Sequence, residues 1–114
     1  DHKAALAFGS DWFVAPPAPL EGIYAAATRR TLDDQNPSGW VPEQKISVEE
    51  AIRAYTATAA FASFEESRKG VLAAGYLADL VMLDRDVFAI PAEDIRHAQV
   101  MLTMVGGRVV HRAP

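Results

Sequence analysis

Apolar and polar positions alternate in distinct textures along this chain. Ala4-Ala5-Leu6-Ala7-Phe8-Gly9 is a short, nearly continuous apolar run. Such a run fits a strand buried on both faces, as in a parallel sheet, although a helix also satisfies it. Gly9-Ser10-Asp11 closes it with turn chemistry. After Trp12-Phe13-Val14 come Pro16, Pro17 and Pro19, which exclude a regular helix or a central strand and predict an ordered loop. A helix starts near Pro19 or Leu20, since proline suits the first helical position, where its missing N–H would have no partner. Leu20, Ile23, Tyr24 and Ala27 supply its apolar stripe. Residues 33–44, with Asn36-Pro37, Gly39 and Pro42, read as a polar loop.

Ser47-Val48-Glu49-Glu50 is a capping box. The serine hydroxyl can accept the N–H three residues on, and Glu50 can reach back to the cap. Val48, Ala51, Ile52, Tyr55 and Ala59 then recur at helical spacing. They predict one helix, or two with a break, to about Glu66, with enough alanine for close helix approach. Beyond Lys69-Gly70 the texture turns to strands: Val71-Leu72, then Leu80–Leu83, then Val100–Val105 and Arg108–His111 joined by Gly106-Gly107. Two glycines between β-rich runs predict a hairpin, because glycine tolerates positive φ. Pro91–Ile95 reads as a short helical turn.

Composition narrows the classes. The chain has 114 residues, half of them hydrophobic, and a formal net charge of -4. That suits a small core and argues against disorder. The eleven Lys and Arg are scattered, so no basic face for nucleic acid is legible. There is no cysteine, which excludes disulfides and thiolate metal sites. No apolar run approaches the roughly 20 residues of a membrane span, and no signal peptide is visible. The chain opens Asp1-His2-Lys3 without an initiator methionine. It is therefore expected to be a piece of something longer, so export stays open beside the expected cytoplasmic location.

Four stretches in order carry a resemblance: Phe8-Gly9-Ser10-Asp11-Trp12; Ile46 to Ala51 with Ala54-Tyr55-Thr56; Lys69-Gly70-Val71-Leu72 with Gly75 and Leu77 to Asp84; and Val105 to Val110. Together they resemble the C-terminal third of the metal-dependent amidohydrolase superfamily, in its family 3 branch. The resemblance implies a (β/α)8 barrel beside a β-sandwich built from both chain ends. It also implies one or two divalent metals, usually zinc, and hydrolysis of amide-type C–N bonds other than peptide bonds. The branch includes enzymes that cleave N-substituted formamides.

Carried over by position, Ala5–Gly9 would be the eighth barrel strand, and Pro19–Leu32 and Ser47–Glu66 outer helices. The fold expected is thus an α/β fragment: the last strand and helices of a barrel over residues 1–67, then part of a small β-sandwich over 68–114. Asp11 would ligate the metal and handle the proton, as suits a strand end in a barrel of this class. A zinc-bound water reaches a pKa of about 7, and an adjacent carboxylate can take its proton. Without the resemblance, Asp11 reads as a turn or capping aspartate. Trp12 and Phe13 would line a substrate pocket or pack the loop onto the barrel. Phe13 stands where many relatives have proline, which bears on loop shape and substrate preference.

The remaining metal ligands are not here. His2, His97 and His111 lack ligand spacing and read as solvated residues. Arg29-Arg30 reads as a solvated helix end, with anion binding as its alternative, and Glu49, Glu50, Glu65 and Glu66 read as exposed helix charges. Asp79, Asp84 and Asp86 read as turn and edge residues rather than a calcium site. The fragment alone is expected to bind no metal and to be inactive. Its partners would be a small amide-type substrate and either a second copy or the missing N-terminal part of the barrel, with no nucleic acid and no membrane. The competing reading is a non-catalytic structural or assembly module.

Overall fold

The computed structural model describes residues 4–114; the solvated reading of His2 lies outside them. The chain is α/β, with three helices, three antiparallel strands and two 3-10 turns among those residues. It divides into two compact units, and the division falls inside one helix.

One unit holds residues 9–52 and 86–98. Its first helix, α1, is Pro19–Thr28, with proline at the start as expected. The helix does not run on to Leu32. Arg29 turns left-handed at φ 58, and its N–H bonds Ala25 O at 2.8 Å, which closes the last turn. Ile23, Tyr24 and Thr28 are buried on one face. The 3-10 turn Ala92–His97, foreseen at Pro91–Ile95, packs against that face, with Ile95 fully enclosed. Arg30 pairs with Glu93 at 3.3 Å. The loop after α1 contains a second 3-10 turn, Pro42–Gln44.

Helix α2 is Val48–Tyr55 and begins at the expected capping box. Glu50 accepts from the Ser47 N–H (2.8 Å) and hydroxyl (2.9 Å), and Ser47 Oγ accepts from the Glu50 N–H (3.1 Å). These bonds hold the Glu50 carboxyl below its ordinary range. Ala51 on the predicted stripe is buried, and so is Ala54 beside it.

The other unit comprises residues up to Phe8, then 53–85 and 99–114. Thr56 interrupts the helical run, and α3 follows as Ala57–Ala62. The two-helix reading therefore holds, although the second ends before Glu66, where Ser63 caps it and Phe64 takes φ 60. Gly70, at φ 95, lies so close to α3 that a Cβ would stand 2.7 Å from that of Ala60. Strands β1 (Leu80–Leu83), β2 (Val100–Val105) and β3 (Arg108–Arg112) form one sheet in the order β1-β2-β3. The expected hairpin is present, with Val105 opposite Arg108 and both turn glycines at positive φ.

Two expected strands do not form. Val71-Leu72 follows the Gly70 turn as irregular, exposed chain. The run from Ala4 to Gly9 forms no strand. A strand exists through its ladder, and among the described residues this segment's one backbone bond runs from Phe8 N to Ala54 O, a helical carbonyl, at 3.0 Å. Among the described residues no helix is long and apolar enough to cross a membrane.

Candidate functional site

Asp11 sits in a tight turn. Val14 N–H bonds Asp11 O at 2.7 Å, Ala15 N–H bonds Ser10 O at 3.2 Å, and Asp11 takes φ 50. Aspartate is among the few residues that visit this left-handed region readily. The turn lifts three large side chains into solvent: Trp12 is 70% exposed and Phe13 85%, with Val14 beside them. Asp11 is exposed too, and among the described residues no hydrogen bond or ion pair holds its carboxylate. Asp11, Trp12 and Phe13 thus share one surface turn with a free carboxylate.

The chemistry around that carboxylate is sparse. Among the described residues no three His, Asp or Glu side chains stand close enough to hold a metal ion. His97 is exposed and lies 3.3 Å from the Arg96 Nε, and His111 is exposed with its Nε2 3.3 Å from Val100 O. The acidic residues of the sheet unit have structural partners. Asp79 accepts from Gly106 N–H at 2.6 Å and pins the hairpin turn. Asp84 accepts from Gln99 N–H at 2.8 Å and from Arg85 Nε and Nη2. The Arg85 guanidinium first, and the Gln99 N–H second, push its carboxyl down to about 2. Asp86 accepts from Phe88 N–H at 2.9 Å, a local turn. These are the turn and edge roles expected.

A cavity of about 690 Å³ lies within the sheet unit, between α3 and β1. Tyr55, Ala59, Ser63, Lys69, Leu72 and Leu80 line it, and Asp11, Trp12 and Phe13 do not. Its walls are largely apolar. Lys69, its cation, is already paired with Glu65. The cavity's charged lining residues, Lys69 and Asp79, are engaged with Glu65 and the Gly106 N–H, whereas the Asp11 carboxylate is free among the described residues.

Sequence reasoning missed a polar cluster on α1. Tyr24 is fully buried, and its hydroxyl donates to Asp34 Oδ1 at 2.7 Å. Arg96 grips Asp34 Oδ2 and Leu32 O, each at 2.6 Å, and its guanidinium lies 4.9 Å from the Tyr24 ring centroid. Burial, and then the neighbouring carboxylate, push the Tyr24 phenol up. The phenol and the guanidinium hold the Asp34 carboxyl low. The one sequence signal was a tyrosine on an otherwise aliphatic stripe, since a buried hydroxyl needs an acceptor.

The model of the "Amidohydrolase family" matches residues 1–111. The chain is 33% identical over 103 residues to a putative amidohydrolase, YtcJ, of Bacillus subtilis, covering 90% of this chain and 20% of that protein. It is 37% identical over 109 residues to the protein LONG AFTER FAR-RED 3 of Arabidopsis thaliana, covering 96% and 18%. It is 31% identical over 107 residues to an N-substituted formamide deformylase of Arthrobacter pascens, covering 94% and 19%. The chain thus spans about a fifth of the length of the curated relatives it matches. No solved structure matches it.

Proposed function

We infer, from the premise that this chain belongs to the amidohydrolase family, that it is the C-terminal part of a hydrolase of amide-type C–N bonds in which Asp11 moves the proton. The observation that supports this is the free carboxylate itself. Asp11 is the acidic residue of the Phe8–Trp12 stretch, stands exposed at the head of a turn, and has no internal partner among the described residues. A carboxylate so placed can accept a proton from an attacking water and deliver it to nitrogen as the C–N bond breaks, which makes the leaving group a neutral amine. Trp12 and Phe13, on the same turn, would contact the substrate's apolar part.

The metal implied by family membership does not fit this chain alone. A catalytic zinc takes about three protein ligands, and among the described residues no group of three His, Asp or Glu side chains could hold one. Under this reading the other ligands lie elsewhere in the protein, residues 1–67 complete a barrel, residues 68–114 belong to a composite sandwich, and the 114 residues alone are inactive.

The test compares the 114-residue chain with the complete reading frame that carries it, using amine release from an N-substituted formamide. Only the complete protein should turn over. Asp11→Asn should lower its kcat by about 100-fold or more, the usual contribution of a positioned proton-transfer group. An Asn variant as fast as the parent would sink the role assigned to Asp11.

A further inference from the structure

The loop after α1 is closed and braced. Trp40 N–H donates to Arg29 O at 2.7 Å, and Arg29 Nε donates back to Trp40 O at 3.0 Å. Inside that clasp Asn36 acts as a plug. Its Nδ2 donates to Arg29 O (3.2 Å), and its Oδ1 accepts from the Thr31 N–H and hydroxyl (2.9 Å each). The Tyr24–Asp34–Arg96 cluster ties the loop to the body from the other side. Gly39 takes φ 82 where a Cβ would overlap the Thr28 carbonyl oxygen, so only glycine lets the chain reach the clasp.

On this frame sits Trp40, 70% exposed. The Arg29 guanidinium lies against its ring, with Cζ 5.0 Å from the centroid. Arg29 spends Nε on the Trp40 carbonyl, and among the described residues no carboxylate pairs with its two terminal nitrogens. An exposed indole on a braced backbone and an uncompensated guanidinium fork therefore adjoin on the surface.

We propose that Arg29 and Trp40 form a binding platform for a small arylalkyl carboxylate. The carboxylate takes the two free N–H edges of the fork, and the aryl group lies on the open indole surface. The fork matches a carboxylate in bidentate geometry. The indole contributes flat contact area, presented from a braced backbone with the Arg29 guanidinium against its ring. Charge decides the class of ligand. Arg29 already occupies the cation's place at the ring, so a cationic aromatic would meet like charge. The proposal rests on its own observations. Asp11 takes no part, so it stands or falls separately from the hydrolase reading.

The two tryptophans give two indole N–H signals in a 1H–15N spectrum of the chain, assignable with Trp40→Phe. Titration with 3-phenylpropionate should shift the Trp40 signal saturably. Acetate, which lacks the ring, and 2-phenylethylamine, which reverses the charge, should bind about tenfold or more weakly. Arg29→Lys keeps the charge but loses the fork, and it should cost about tenfold or more, the loss for charge-assisted hydrogen bonds. Thr31 and Gly39 amide shifts report whether the loop survives in each variant. An unsaturable response, equal binding of the amine, or undiminished binding by Arg29→Lys overturns the proposal. A native spectrum in which the 29–40 loop is unformed overturns it as well, since the platform depends on a preformed loop.

Discussion

Removing one oxygen from Tyr24 tests whether the α1 cluster is a working part of the fold. In Tyr24→Phe the ring still packs under the Arg96 guanidinium, but the 2.7 Å bond to Asp34 is gone. A hydrogen bond to a charged group is worth about 1.5–3 kcal/mol. Asp34 keeps Arg96, and its side chain is 41% exposed, so water can replace the phenol in part. The expected loss is therefore near the lower limit, about 1.5 kcal/mol. Tyr24→Ala also empties the space of a fully buried ring and should cost about 3–5 kcal/mol, the usual range for an aromatic reduced to alanine. Urea unfolding followed by tryptophan emission is the assay, because Trp12 and Trp40 both lie in the unit that holds the cluster. The size ordering separates packing from hydrogen bonding. If Tyr24→Phe unfolds with the parent's midpoint and slope, the hydroxyl is idle and the clamp reading fails. An Asp34→Asn background gives a second check: the two changes should be non-additive if the bond is what was lost.

The same cluster makes a pH prediction whose sign is fixed. The folded Asp34 carboxyl is held low, by the Tyr24 hydroxyl first and Arg96 second. The clamp's contribution is thus complete above the ordinary aspartate value of about 3.9 and fades as pH falls through the lower folded value. In Tyr24→Phe the folded value should rise toward ordinary, so the acid limb of the stability curve should be shallower.

Two further outcomes follow from local geometry. Ser47→Ala removes the hydroxyl that caps α2 and should cost about 1 kcal/mol, with the Glu50 amide exchanging faster; unchanged exchange would refute the capping box. The Asp84 carboxyl should titrate at about 2 by carbonyl NMR, and the Gln99 amide signal should move with it. A midpoint at the ordinary aspartate value would mean that the Arg85 and Gln99 contacts do not persist in solution.

Local signals in the chain were read well because their partners lie a few residues apart. Ser47 and Glu50 are one turn of helix from each other, and the Gly106-Gly107 turn joins strands that are sequence neighbours. Pro19 acts on its own φ. The Tyr24–Asp34–Arg96 cluster was not legible for the converse reason. Arg96 reaches Asp34 across 62 positions of sequence, and nothing near either residue names the other. The end of α1 was overrun for a related reason. Arg29-Arg30 suits a helix C-terminus by charge, but the stop comes from Arg29 turning left-handed so that Trp40 can close on its carbonyl.

Asp11 shows a different limit. Its surroundings in sequence named a strand end, and the chain supplies a turn at the end of a segment that forms no strand. Hydrophobic runs encode a demand for burial, while strand pairing is met by a partner. In Ala4–Ala7 the demand is unmet: all four residues are exposed. The same holds for β3, where Val109 and Val110 are exposed on a strand paired along one edge only. These two apolar segments, one leading into the Asp11 turn and one at the sheet's margin, are where pattern and packing disagree. Under the proposed function both are completed by the rest of a protein about five times as long, judged by its relatives. The complete reading frame should therefore protect the amides of residues 4–9 and of one β3 edge from exchange, while the 114-residue chain leaves them open. Equal exchange in both would mean that the exposed runs are a stable surface, and the reading of Asp11 as a strand-end carboxylate would lose its structural premise.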